Sequence, residues 1–171
     1  MIGFIRRKKN ESVLGRNRRE KTFQNYDSIR NVLILFNTAD LAEVAVAVEA
    51  LRKDGKTVSA WTTRPKEKEF SVNYPPYVRA IDLGKEISWT QTLEKTVIQE
   101  FEKLTYDTFL DLTTADDTIL DYLLAANSSR FCIGIREHNF KAHDFIMLKQ
   151  EGQSIPETCE QLKYYLQRIM A

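Results

Sequence analysis

Residues 111–118, DLTTADDT, place three carboxylates and three hydroxyls directly after the apolar run TFL. Asp111, Asp116 and Asp117 offer hard oxygen ligands or acid/base groups, and Thr113 and Thr114 could add hydroxyls, so metal or proton-transfer chemistry is conceivable there. The same types also mark the end of a strand and the start of a helix. Thr, Asp and Asn cap helices by accepting from free amides, and acidic groups favour the positive N-terminal end. Capping accounts for most of this composition, so no catalytic residue is assigned.

Other candidates are thinner. His138 and His143, in REHNFKAHD, are the only histidines. Five residues apart, they share neither a helix face nor a strand face, which predicts two ordinary histidines in a solvated loop. No serine or cysteine stands in a motif that would make either a catalytic base. Cys132 and Cys159 lack ligand spacing and are expected to be buried free thiols. The six glycines form neither a dinucleotide fingerprint nor a P-loop, and the first strand-to-helix turn, FNTAD, contains none. No cofactor and no metal are therefore expected. Trp61, Trp89 and the run YPPY at residues 74–77 are read as packing, with the lining of an acceptor pocket or a contact surface as the alternative.

The elements that must position these groups follow from apolar spacing. NVLILF (31–36) is a short continuous apolar run suited to a strand covered on both faces. It is followed by a helix in which Leu41, Val44, Ala45, Val48 and Leu51 share a face, with Asp40 and Glu43 fitting a capping box and Gly55 as the stop. Strands are expected at 56–63, 78–83, 108–113, 130–135 and 144–149, with helices after 90, after 116 and at the end of the chain. Such alternation predicts an α/β fold, a three-layer Rossmann-like sandwich with a mostly parallel five- or six-stranded sheet. With the usual order 3-2-1-4-5, the turns FNTAD and DLTTADD become neighbours at the switch point where such folds bind ligands. The candidate ligand-binding residues are accordingly Asn37, Thr38, Asp40, Thr113, Thr114 and Asp116.

The chain of 171 residues, 43% hydrophobic, suits one core. Residues 1–30 read as a basic N-terminal arm and 31–171 as the α/β domain. Within 1–21, eight Lys/Arg stand against Glu11 and Glu20, while the remainder is acidic on balance. That charge could meet an anionic partner: an acidic protein, a lipid surface or a nucleic acid. A homodimer through the sheet edge or a terminal-helix stripe of Leu162, Tyr165, Leu166 and Ile169 is the other expected contact. No apolar run approaches the roughly 20 residues of a membrane span, and the N-terminus lacks the apolar middle of a secretion signal, so a cytoplasmic location is expected.

The segments IGFIRRKK, SIRNVLILFN and YDTFLDLTTADDTILDYLLAANSSRFCIGIRE resemble a family of short uncharacterised bacterial proteins, a domain of unknown function. Residues 106–137 are also similar in pattern to the N-terminal half of heptosyltransferase-like GT-B glycosyltransferases, with Asp111 and Gly134 at the strand-end Asp and the strand-Gly positions. The resemblance implies a retained fold with donor binding and transfer lost, since the second, donor-binding half does not follow. The function expected overall is a non-catalytic binding or interaction module, the alternative being a degenerate glycosyltransferase-like enzyme or a binder of a small anionic or sugar-like ligand.

Overall fold

A computed structural model describes residues 2–67 and 71–169, with side chains from residue 8 onward. Its elements in chain order are α1 (Ile2–Arg16), β1 (Asn31–Leu35), α2 (Leu41–Lys53), β2 (Thr57–Arg64), β3 (Val78–Asp82), α3 (Lys95–Glu102), β4 (Thr108–Asp111), α4 (Thr118–Ala126), β5 (Phe131–Gly134), β6 (Phe145–Ile146) and α5 (Ile155–Arg168). The strands form one six-stranded parallel sheet, ordered β3-β2-β1-β4-β5-β6. The expected α/β sandwich and the central order are both present.

Strand alternation divides the core in two. Val32, Ile34 and Phe36 of the first strand region, with Leu110, Leu112, Phe131, Ile133 and Ile135, face α2 and α5. Leu33, Leu35, Phe109 and Cys132 face α3 and α4. Asp111 follows Phe109 by two residues and therefore points to the α4 side, where an apolar residue would ordinarily sit.

Local departures from expectation have identifiable causes. The Asp40–Glu43 capping box does not form: Asp40 accepts a hydrogen bond from the Thr114 hydroxyl, and Glu43 accepts one from the Ile155 amide at 2.7 Å. Tertiary partners take both carboxylates. Gly55 ends α2 with φ +77°, as the stop signal requires. α5 begins with a complete capping box between Ser154 and Glu157. Of its expected contact stripe, Leu162 and Leu166 are buried in the core and Ile169 packs on it, while Tyr165 is 52% exposed. Trp61 is buried edge-on against Phe101, but Trp89 is 93% exposed, against the expectation of packing. Cys132 is buried and Cys159 only half-buried, both as free thiols.

Residues 1–30 contain a helix, α1, docked on α4. The side chains of Arg6 and Arg7 lie outside the described residues, whereas Lys8, Lys9, Arg16, Arg18 and Lys21 are exposed. The stretch after α1 is stitched to the body: Asn17 donates to the Ala125 and Asn127 carbonyls, and the Thr22 amide donates to the Arg130 carbonyl. Arg19 makes two bonds of 3.0 Å to the Asp144 carboxylate and further ones to Ser129 and Ala142. Its side chain is 5% exposed and that of Asp144 12%. No helix among the described residues is long and apolar enough to cross a membrane.

A buried bidentate pair leaves an uncompensated charge when one partner is removed. Arg19→Met should therefore lower the unfolding free energy by about 3–5 kcal/mol in urea titration. Lys21→Met, which removes an exposed ammonium 3.7 Å from the same carboxylate, should cost less than about 1 kcal/mol.

Candidate functional site

The connection from β5 to β6, residues 135–144, decides where chemistry can sit. Two parallel strands cannot be joined by a hairpin, so the chain must cross a sheet face. It does so on the α4 side without a regular helix, burying Ala142 and packing Phe140 against that half of the core. His138 and His143 lie in this crossing, and their side chains are each 2% exposed. The expectation of a solvated histidine loop is thus corrected: a crossover over a sheet face has an inner side, and both histidines are on it.

Both imidazoles meet Asp111, whose side chain is 0% exposed. His138 Nε2 lies 2.7 Å and His143 Nε2 2.9 Å from the same oxygen, Asp111 Oδ2. The other oxygen, Oδ1, accepts from the Thr113 amide at 3.0 Å and the Thr113 hydroxyl at 2.7 Å. The far side of His138 is also occupied, with Nδ1 at 3.2 Å from Asp121 Oδ1 on α4. Arg136 donates to the Thr113 hydroxyl and pairs with Asp116 at 2.9 Å, closing the outer rim.

Gly134 makes this arrangement possible. It is the register partner of Asp111 across β4 and β5, on the same face. A Cβ there would lie 2.5 Å from His143 Nε2, so the imidazole occupies the volume that any other side chain would claim.

Electrostatics follow from the partners. Burial opposes charge on Asp111, but hydrogen bonds and charge from His138 and His143 outweigh it and hold the carboxyl far below its usual range. Burial likewise disfavours protonated His138, yet its bonds to Asp111 and Asp121 prevail and raise it to about 9. Geometry agrees, since both ring nitrogens face carboxylate oxygens and only the imidazolium donates from both. Burial pushes the Cys132 thiol up, leaving it a poor nucleophile.

The residues expected from sequence are brought to one end of the sheet, and each is hydrogen-bonded to another group of the protein. Asn37 Oδ1 accepts from the Thr114 and Ala115 amides at 2.8 and 3.1 Å, joining the two turns as the strand order predicts. Asp40 holds Thr114, and Thr38 turns to β2, donating to the Thr63 carbonyl at 2.6 Å. Thr113 serves Asp111, and Asp116 serves Arg136. Asp117, rather than Thr114 or Asp116, caps α4 by accepting from the Ile119 and Leu120 amides. Beside that cap lies a cleft of about 360 Å³ lined by Lys66, Leu83, Ile87, Gln91, Asp116 and Asp117. Among the six expected residues, Asp116 alone lines it.

What sequence reasoning missed is the set Asp111, His138 and His143, whose donor atoms all lie within 4.8 Å of one another and could hold a metal ion. A signal for it existed: a strand ending in Asp beside a strand ending in Gly, followed by a short crossover bearing both histidines.

Two outcomes follow from this geometry. Gly134→Ala should cost about 1–3 kcal/mol by overpacking, and the same change made in a His143→Ala background should cost much less, giving a coupling in a double-mutant cycle of denaturation curves. His138 is raised above its ordinary 6.5, so its pairing stabilises fully below pH 6.5 and the contribution disappears as pH rises through about 9. The stability gap between wild type and His138→Gln, measured in EDTA, should shrink over that interval.

The model of a family of unknown function (DUF6913) matches residues 3–169. The chain belongs to that family. No curated protein and no solved structure matches it.

Proposed function

We propose that this member of the DUF6913 family is a non-catalytic binding module whose ligand sits at the carboxyl end of β4, against Asp111, His138 and His143. The observation that carries the reading is the convergence of two imidazoles on one oxygen of a fully buried carboxylate. Burying a charge is costly unless it is paired, and well-packed apolar residues of similar volume would have avoided that cost. A polar cluster of this kind in the core is therefore a functional-site candidate on physical grounds.

Burial also argues for binding rather than turnover. Asp111 lies under the crossover, whose two imidazoles turn inward onto it, so an organic substrate would have to lift that segment, whereas a small ligand needs little room. Asp111 and Gly134, on which the glycosyltransferase likeness rests, are both taken up by imidazoles, so the acceptor-sugar alternative draws no support from them. The neighbouring cleft sets Lys66 against Asp116 and Asp117, so its lining gives a small anionic ligand no net positive charge.

Thermal-shift measurements with metal ions, small anions, sugars and nucleotides separate these readings. A ligand of the proposed site should raise the melting temperature of the wild type and not that of His143→Ala. A ligand of the cleft would instead keep its effect in His143→Ala and lose it in Lys66→Ala. If no compound produces a rise that depends on His143, the proposal fails.

A further inference from the structure

Resting on the reading that the Asp111 cluster is the ligand site, the geometry points to the ligand itself: we infer that Asp111 Oδ2, His138 Nε2 and His143 Nε2 bind one divalent transition-metal ion of the zinc class. The donor set is the first reason. Two imidazole nitrogens and one carboxylate oxygen suit zinc, cobalt and ferrous iron, whereas magnesium and calcium select oxygen ligands.

Spacing is the second. Zinc bonds of about 2.0–2.2 Å at tetrahedral angles put ligand atoms roughly 3.3 Å apart. The observed separations from the shared oxygen are 2.7 and 2.9 Å. Opening them by about half an ångström accommodates the ion with the rings still aimed as they are. Both histidines present Nε2 to Asp111, and both belong to the one segment between β5 and β6, outside the strands.

The surroundings are the third. Histidine ligands of metals donate their other ring N–H to a carboxylate or carbonyl, which fixes tautomer and aim. His138 Nδ1 faces Asp121 in that way at 3.2 Å. Asp111 has its second oxygen held by Thr113, so a single oxygen is left pointing at the histidines. Charge also balances: with neutral imidazoles, the carboxylates of Asp111 and Asp121 equal one dication, and Arg136 has Asp116 as its own counter-charge. Asp121 and Thr113 are positioning residues in this scheme.

The test uses the full chain, free of any histidine tag and stripped with a chelator. Cobalt(II) chloride should produce visible d–d bands that saturate at one equivalent and are bleached by zinc. Competition against a chromophoric chelator should show zinc affinity at least ten-fold weaker in His138→Ala and in His143→Ala. Asp121→Asn should weaken it 10–100-fold while leaving the metal-free circular dichroism spectrum unchanged. The double variant Cys132→Ser/Cys159→Ser should bind as the wild type does, which separates the site from adventitious thiol binding. Absence of bands at stoichiometric cobalt, or bands that persist in the folded double variant His138→Ala/His143→Ala, would overturn the inference. If metals fail but another compound still raises the melting temperature through His143, the inference alone falls; if nothing does, the binding reading falls with it.

Discussion

The constraint from which most of this structure follows is a single carboxylate placed where the core demands compensation. Asp111 ends a central strand and points to a face otherwise filled by Leu33, Leu35, Phe109 and Cys132. A charge there must find donors inside the protein, because water does not reach it. Thr113 supplies two, by bending its own backbone amide and hydroxyl back to the strand end. The remaining oxygen has to be met from across the sheet. The crossover from β5 meets it with two imidazoles, and the partner strand yields the necessary volume by ending in glycine.

Holding that crossover in place is then a task for the rest of the chain. A ten-residue connection with no helix has little internal bonding, and its fixation comes from outside. Arg19 reaches from the segment after α1 to the Asp144 carboxylate and the Ala142 carbonyl, on either side of His143. Asp144 in turn accepts from the Cys132 amide of β5. A residue counted by charge alone as part of a basic surface is thus internal, and the segment carrying it is a structural strap over the edge of the sheet.

The helices and strands were legible because burial imposes periodicity: the continuous apolar run of β1 and the i, i+3, i+4 spacing of α2 and α4 can be read without tertiary knowledge. The strand order could be argued from chirality and alternation, and with it the meeting of Asn37 with the turn at Thr114. The Asp40 cap failed because the side chain had a better partner 74 residues away, and local rules do not see such partners. The histidines failed for a related reason. Spacing rules apply to residues within one regular element, and a five-residue offset in a crossover carries no facing information. Recognition of the 144–149 segment as a parallel strand held the missing step, since such a strand obliges the preceding residues to cover a sheet face.

The strap formed by residues 17–22 also orders events during synthesis. Its partners are the carbonyls of Ala125, Asn127 and Arg130 and the carboxylate of Asp144, more than a hundred residues downstream. Chain emerges from the ribosome N-terminus first, at about 5–20 residues per second. Residues 17–22 therefore wait several seconds, on this scale, for the last strand of the sheet before they can close. Contacts of such sequence separation form slowly in any case. The β1–α2–β2 unit can organise early, whereas the histidine crossover and the strap that grips it close only once Asp144 and β6 have been made.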